Sequence, residues 1–140
     1  MHYQKLISGT VLALTLVTGG AQADQTTTKA VLDHHLASFG AGDVKGILAD
    51  YTKNSVIVLP SGVLHGKAEI KGLFDGFVKE FGKKNVVFKL TGSTVTDDVA
   101  YITWSAETPD NSYSFASDTF VIKNGKIAYQ TVALVVTAKK

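Results

Sequence analysis

Apolar residues recur at the spacing of an α-helix in three segments of the first part of the chain. The first segment is followed by Gly40, the second is preceded by Asp43, a suitable N-cap, and the third ends before Gly82. The apolar stripes consist of Leu32, His35, Leu36 and Phe39, then Val44, Ile47, Leu48 and Tyr51, then Ile70, Leu73, Phe74, Phe77, Val78 and Phe81. This spacing predicts three helices, with Tyr51 at the end of the second apolar stripe.

The remaining segments show the pattern of β-strands. An apolar run over residues 56–59 stops at Pro60, and residues 63–65 form a short return segment, which together predict a hairpin. After Gly82 no helical stripe remains, and turn sequences divide the chain into four long strands near 85–95, 99–108, 112–123 and 126–137. Helices followed by antiparallel strands predict an α+β domain in which a curved sheet wraps around the helices.

The first 23 residues have a different pattern. Lys5 precedes an apolar run over residues 6–17, and Ala21-Gln22-Ala23 supplies the small residues of a cleavage site. A transmembrane helix needs about 20 apolar residues, and this run is shorter. We therefore expect a secretory signal peptide over residues 1–23 and a single domain over residues 24–140. This domain is expected to be exported, either to the periplasm or out of the cell.

Composition narrows the possible partners. Hydrophobic residues make up 45% of the chain and charged residues 19%, as in globular domains, and the net charge is +2. All 14 basic residues are lysine, so no guanidinium group exists to read a base edge. The chain contains no cysteine, which excludes disulfides, thiolate nucleophiles and cysteine-based metal sites. We expect neither nucleic acid nor, after signal removal, a membrane as a partner.

Several short motifs follow one another in an informative order. They are Gly42-Asp43, Pro60-Ser61-Gly62, His65-Gly66-Lys67, the segment from Ala100 to Trp104, Asp118-Thr119-Phe120, Gly125-Lys126-Ile127 and Gln130-Thr131. Together with the order of elements over residues 28–137, they resemble the NTF2-like superfamily, especially its SnoaL-like branch. This resemblance implies a cystatin-like cone with three N-terminal helices packed on a curved, mostly antiparallel sheet, an apolar pocket at its open end, and usually a homodimer. Members include ketosteroid isomerase, polyketide cyclases, dehydratases and domains without a known reaction.

His35 is the first residue that could carry chemistry. It shares a helical face with Leu32, Leu36 and Phe39, so its imidazole is expected to point inward, where burial favours the neutral form. A catalytic or ligand-contacting role and a core histidine bonded to a backbone carbonyl both fit this position. Its neighbour His34 is rotated by about 100° and is expected to be solvated. Histidines are too scattered for a zinc site, and we expect no metal and no cofactor.

Asp118 is the most informative acid. It alternates with Phe120 and Ile122 on one strand face, where burial would raise the pKa of the carboxyl group. Such a group suits a general base or a donor to a developing oxyanion. The resemblance implies the same roles, since ketosteroid isomerases and polyketide cyclases use an acid on the corresponding strand. The alternative is that Asp118 only bonds a neighbouring side chain such as Thr131 or Gln130.

One reaction of the family is not expected of this chain, because a residue that the reaction needs is missing. Ketosteroid isomerases carry their general base just before the proline that ends the first strand, and here that position is Leu59, before Pro60. Their tyrosine on the first helix aligns with His35. Proton transfer across a steroid needs a base as well as an oxyanion donor, so the sequence argues against steroid isomerisation. A cyclase-like or dehydratase-like use of Asp118 with His35 stays open.

The strand pattern leaves the pocket lining partly open. Gln130 and Thr131 compete for the position beside Asp118, because the turn at Asn124-Gly125 decides the register. A three-residue loop with a glycine bulge would place Gln130 there, which matches the family's pocket better than the two-residue turn. Trp104 and Tyr101 lie on opposite faces of one strand, so only one of them can line the pocket. The expected pocket residues are Tyr51, at its rim, and Leu59, Trp104, Phe120 and Gln130.

Three functions are consistent with this pattern. The leading hypothesis is a domain, dimeric through the outer sheet face, that binds a small, mostly apolar molecule with Asp118, His35 and Gln130 as polar anchors. The second is an acid/base enzyme of the cyclase, dehydratase or isomerase kind, with Asp118 as proton carrier and His35 beside it. The third is a protein-interaction module whose cone is filled by its own side chains.

Overall fold

The computed structural model describes residues 24–140. The predicted signal peptide covers residues 1–23 and lies outside the described residues. No helix within the described part of the chain is long and apolar enough to cross a membrane.

Three helices form where the apolar spacing predicts them: α1 (Gln25–Gly40), α2 (Val44–Ala49) and α3 (Gly66–Phe81). Aspartates cap the first two helices, because the Asp24 carboxylate accepts the Thr27 N–H at 2.7 Å and the Asp43 carboxylate accepts the Gly46 N–H at 2.9 Å. In α3, Glu69 reaches back to accept the backbone N–H of His65 at 2.7 Å.

Six strands make one sheet in the order β2-β1-β6-β5-β4-β3. Their bounds are β1 (Tyr51–Leu59), β2 (Gly62–His65), β3 (Val87–Thr96), β4 (Val99–Glu107), β5 (Asn111–Lys123) and β6 (Lys126–Ala138). All neighbouring pairs are antiparallel except β1 and β6, which run parallel. The predicted α+β class, with three helices packed on a mostly antiparallel sheet, is confirmed, and each of the last four strands begins and ends within two residues of its predicted bounds.

Tyr51 lies in a different element from the one predicted. Its spacing continues the apolar stripe of α2, yet α2 ends at Ala49 and Tyr51 is the first residue of β1. The Asp50 carbonyl accepts the Ile127 N–H at 2.8 Å, and Tyr51 then pairs with Ile127 in β6. Pairing with a neighbouring strand therefore overrides the local helical spacing, and the tyrosine side chain is fully buried rather than at a rim.

A hydrogen-bond cluster fixes the C-terminal end of α3 over the sheet. The Glu80 carboxylate accepts from the side chains of Thr108, Asn111 and Tyr113 at 2.7, 2.8 and 2.9 Å. Burial alone would raise the pKa of Glu80, but these three hydrogen bonds outweigh it and lower the pKa below its ordinary value. The next residue, Phe81, is thereby held against the inner face of the sheet.

Candidate functional site

An apolar cavity lies between α1, α3 and the inner face of the sheet. The volume open to the centre of a water-sized sphere is about 50 Å³, enough for a few water molecules. Its lining is made of apolar side chains with three polar residues among them: His35, Leu36, Phe39, Leu73, Phe74, Phe77, Phe88, Ile102, Trp104, Asp118, Phe120, Gln130 and Val132. The cavity therefore has the composition expected of a site for a mostly apolar molecule.

A larger groove adjoins this cavity at the ends of α1 and α3. It measures about 550 Å³ and shares Leu36, Phe39 and Phe88 with the cavity lining. The Phe81 ring lies at its side, with ring centroids 5.5 Å from Phe39 and 6.3 Å from Phe88. The cavity and the groove therefore border each other at Leu36, Phe39 and Phe88.

The part of the cavity lined by Trp104, Asp118 and Gln130 does not border the groove and is called the closed end. Four side chains there form one hydrogen-bonded chain. Trp104 Nε1 donates to Asp118 Oδ2 at 2.7 Å, and Gln130 Nε2 donates to Asp118 Oδ1 at 2.7 Å. The Tyr51 hydroxyl donates to Gln130 Oε1 at 2.5 Å. All four residues are buried. Each carboxylate oxygen of Asp118 therefore has a protein donor, and the orientation of Gln130 is fixed from behind by Tyr51.

Asp118 and Tyr51 both have perturbed acidities. Burial raises the pKa of Asp118, while the hydrogen bonds from Trp104 and Gln130 and the proximity of His35 oppose that increase. Burial, together with the negative charges of Asp118 and Asp50, raises the pKa of Tyr51 well above its ordinary value. Tyr51 is therefore a hydrogen-bond donor at neutral pH, and Asp118 is the carboxyl group at this site that takes up a proton more readily than usual.

A bulge in β6 places Gln130 beside Asp118. Asn124 and Gly125 form a two-residue turn, with φ of 51° and 69°, and Lys123 pairs with Lys126. The register then shifts by one residue after Ile127, so Gln130 pairs with Phe120 on the inner face. The two-residue turn thus occurs together with the Gln130 placement that the sequence had associated with the longer loop. The bulge supplies the extra residue.

His35 is buried with 4% of its surface exposed. Its ring lies edge-on to Tyr51, Phe74 and Phe120, with centroid distances of 5.7, 5.5 and 5.3 Å. The predicted inward orientation is confirmed. The predicted backbone carbonyl partner is absent for Nδ1, which has no hydrogen-bond partner among the described residues and instead lies 3.6 Å from Asp50 Oδ2.

Asp50 is a site residue that sequence reasoning missed. It follows α2, is 5% exposed, and places its carboxylate between two histidines of α1. Its Oδ1 lies 2.8 Å from His34 Nδ1, while its Oδ2 faces His35 and has no hydrogen-bond partner among residues 24–140. His34 is exposed over 54% of its side chain, as predicted. No local spacing in the sequence relates Asp50 to α1, because the contact depends on how α1 and α2 pack.

The structure places the five expected pocket residues in two groups. Trp104, Phe120 and Gln130 line the cavity, whereas Tyr51 and Leu59 do not. Tyr51 lies behind Gln130, in the interior. Leu59 is half-buried at the end of β1, next to the turn into β2, and packs against the core away from the cavity. Expecting these two residues in the lining was wrong, because β1 lies beyond β6 in the sheet order.

The described residues offer no evident metal site. Within residues 24–140 no group of three histidine, aspartate or glutamate side chains is arranged to hold a metal ion. His34 and His35 both face the Asp50 carboxylate, but from adjacent positions on a helix, where side chains diverge.

A family model described as a SnoaL-like domain matches residues 32–130. Among solved structures, SalBIII, an epoxide hydrolase/cyclase-like enzyme with a role in pyran ring formation in the polyether salinomycin, superposes with a TM-score of 0.69 at 19% identity, covering 83% of this chain and 98% of that chain. An NTF2-like protein of unknown function from Mesorhizobium loti gives a TM-score of 0.68 at 16% identity, covering 79% and 93% of the two chains.

A SnoaL-like protein of unknown function from Burkholderia thailandensis E264 gives a TM-score of 0.64 at 14% identity, covering 82% of this chain and 99% of that chain. No curated protein matches the sequence. At these identities the solved structures establish the NTF2-like fold. The family match and the fold confirm the resemblance drawn from the sequence motifs.

Proposed function

Since this chain belongs to the SnoaL-like domain family, we propose that it binds a small, mostly apolar molecule in its cone, anchored by Asp118, His35 and Gln130. The observation that carries this proposal is an apolar cavity whose closed end contains three buried polar side chains. A core that served stability alone would not need these groups, because replacing both partners of a buried hydrogen bond by apolar groups of the same shape is nearly neutral or stabilising.

The dimensions of the cavity indicate how such a ligand would lie. The closed end has room for a few non-hydrogen atoms, and the adjoining groove provides about 550 Å³ more. A polar group of the ligand would reach the closed end, and its apolar body would extend past Phe39 and Phe88 into the groove.

A thermal-shift screen of the protein against neutral aromatic and polycyclic compounds tests this proposal. A ligand present at about 100 times its dissociation constant adds ~2.7 kcal/mol to the free energy of unfolding. The Asp118→Asn variant should lose most of the shift, while Tyr129→Phe, on the outer face of the sheet, should retain it. A hit whose shift is equal in wild type and Asp118→Asn would contradict the site assignment, and the absence of any hit would favour an interaction module with a filled cone.

A second candidate function is acid/base catalysis of the cyclase, dehydratase or isomerase kind. The observation that favours it is the raised pKa of Asp118, caused by burial, in a cavity that it shares with His35. Asp118 would carry the proton and His35 would orient or polarise the substrate. An NMR titration in which Asp118 has an ordinary pKa near ~4 would count against this candidate. Steroid isomerisation is not proposed, because Leu59 occupies the general-base position.

We also propose that two copies of the chain associate through the outer face of the sheet. This face carries exposed apolar side chains on β4, β5 and β6, namely Tyr101, Phe115, Tyr129 and Val135. Phe115 and Val135 are cross-strand partners and form an exposed apolar pair on this face, and exposed apolar patches often mark interaction sites.

Export to the periplasm or the medium is likewise a proposal, supported by the signal-peptide pattern of residues 1–23. Mass spectrometry of the protein isolated from its own cells should give a chain that begins at Asp24. A chain that retains Lys5 and the apolar run in the mature fraction would contradict it.

A further inference from the structure

The closed end of the cavity has already used most of its hydrogen-bond donors. The indole N–H of Trp104 is donated to Asp118, the Tyr51 hydroxyl is donated to Gln130, and Gln130 gives one amide hydrogen to Asp118. A carboxylate oxygen can accept more than one hydrogen bond, so Asp118 retains acceptor capacity. Gln130 keeps its second amide hydrogen as a donor. The remaining polar character that a ligand meets depends on His35, whose ring nitrogens can act as donor or acceptor according to the tautomer.

The environment of His35 distinguishes its two ring nitrogens. Nδ1 is directed to the carboxylate of Asp50, 3.6 Å away, and both this nitrogen and Asp50 Oδ2 are buried without another hydrogen-bond partner among the described residues. A distance of 3.6 Å is longer than a formed hydrogen bond, and a shift of about half an ångström would close it. Nε2 lies on the other side of the imidazole ring and remains for the cavity that His35 lines.

His34 completes the arrangement from the solvent side. Its Nδ1 lies 2.8 Å from Oδ1 of Asp50, and a carboxylate accepts hydrogen bonds but does not donate them. This contact fixes the Asp50 carboxylate with Oδ2 toward His35. Asp50 therefore lies between an exposed and a buried histidine, and only the buried one contacts the cavity.

We propose that Asp50 is a positioning residue that holds His35 in the tautomer with the proton on Nδ1, so that Nε2 is presented to the cavity as a hydrogen-bond acceptor. A buried carboxylate beside a neutral imidazole favours the tautomer that donates to it, since the other tautomer would place two acceptors face to face. Asp50 itself touches no ligand in this arrangement and acts only through His35.

The proposal has one consequence that rests on the proposed function, namely the class of ligand. With Asp118 and His35 Nε2 both accepting, and only one amide hydrogen of Gln130 left as a donor, the closed end favours a ligand that brings its own donor. A neutral, mostly apolar molecule with a hydroxyl group, such as a phenol, an enol or an alcohol, meets this requirement. A ketone or an ether of the same shape offers only acceptors and would leave these buried groups unpaired.

The tautomer can be measured on the free protein by long-range proton–nitrogen NMR of the histidine side chains, at about pH 8, above the ordinary histidine pKa of ~6.5. Variants of the other three histidines, His2→Ala, His34→Ala and His65→Ala, assign the His35 resonances by elimination. We expect His35 to show a protonated Nδ1 and an unprotonated Nε2. A His35 spectrum of the opposite tautomer would overturn the proposal, whatever the ligand results are.

Two variants test whether Asp50 is the cause. Asp50→Ala, checked for folding by circular dichroism, should move the His35 nitrogen shifts toward the averaged values of two exchanging tautomers. Asp33→Asn is the matched control, because it neutralises an exposed carboxylate of α1 that pairs with Lys29, and it should leave the His35 tautomer as in wild type. A tautomer in Asp50→Ala identical to that of wild type would overturn the role of Asp50. If that variant does not fold, Asp50→Asn, which removes the negative charge and keeps the shape of the side chain, takes its place in the same comparison.

The ligand arm compares beta-naphthol with its methyl ether and with naphthalene. Binding is followed through the indole N–H resonance of Trp104, the single tryptophan, which donates to Asp118. We expect beta-naphthol to bind at least about tenfold more tightly than either comparison compound, and this preference to fall in Asp50→Ala. Equal or tighter binding of the ether would overturn the acceptor site. If none of the three binds, the proposed function loses support, whereas the tautomer still decides the role of Asp50.

Discussion

Each face of the β-sheet carries some side chains that depart from the usual distribution of polar and apolar residues. On the inner face Trp104, Asp118 and Gln130 are buried and bonded to one another, and on the outer face Tyr101 and Tyr129 are exposed. Buried polar groups and exposed apolar patches are the two departures from average burial that carry information about function. The inner face presents fixed polar groups suited to a small ligand, and the outer face presents apolar area suited to a larger partner.

The side chains of the two faces also differ in how firmly they are held. Each polar group of the inner network is fixed by at least one partner, so a change in one residue leaves another unsatisfied. The outer apolar residues have no such mutual dependence in a single copy of the chain. Substitutions on the inner face should therefore change folding stability, and those on the outer face should mainly change association.

The largest expected effect is a difference in folding stability between substitutions on the two faces of β4. Trp104→Ala should lower the free energy of unfolding by about 3–5 kcal/mol, because it opens a cavity in the core and removes a donor from Asp118. Tyr101→Ala, three residues away on the opposite face, should lower it by less than about 1 kcal/mol. Urea unfolding of both variants measures the difference. Similar losses for the two would show that the faces are not energetically distinct.

The next effect concerns association through the outer face. The double variant Phe115→Lys, Tyr129→Lys places new positive charges on β5 and β6 of each copy, where they would face like charges across a symmetric interface. We expect self-association to weaken by about a hundredfold, or ~3 kcal/mol. Analytical ultracentrifugation measures this, with Ala37→Lys on the exposed side of α1 as the control. A monomeric wild type would refute the proposed dimer directly.

The smallest effect is a pH dependence on the inner face. The pKa of Asp118 is raised above its ordinary value of 3.8 in the folded protein, chiefly by burial. The folded protein therefore binds the proton more tightly than the unfolded chain does. The stabilisation from this group is fully present below pH 3.8 and is lost as pH rises through the higher folded-state pKa.

As pH increases from 3.8 through the folded-state pKa of Asp118, wild type should therefore lose stability relative to Asp118→Asn. The expected loss is about 1.4 kcal/mol for each unit by which folding raises the pKa. Chemical unfolding at a series of pH values measures the difference between the two proteins. The control is Asp33→Asn on the exposed side of α1, where the carboxylate pairs with Lys29. A constant difference between wild type and Asp118→Asn at all pH values would contradict the raised pKa.

Much of this site could be predicted from local pattern alone. Helical spacing placed His35 on the inner side of α1, and alternation along β5 placed Asp118 on the buried face. Alternation also separated Trp104 from Tyr101. These predictions are sound because the direction of a side chain relative to its own helix or strand depends on a period of 3.6 or 2 residues, which neighbouring residues reveal.

Other features depended on contacts between distant segments. Tyr51 follows the spacing of α2, yet hydrogen bonds to β6 draw it into β1. Gln130 reaches the inner face only because a bulge shifts the register of β6 by one residue. Such a shift costs little locally and moves every later side chain to the other face.

The sequence by itself determined the α+β class, the order of helices and strands, and the inward orientation of His35 and Asp118. Each of these follows from the periodic burial of apolar residues within one element. Only the tertiary structure decided that Gln130 and Trp104 bond both oxygens of Asp118, and that Asp50 faces His35. These contacts join residues on different elements, and their geometry depends on strand register and helix packing, which local periodicity does not encode.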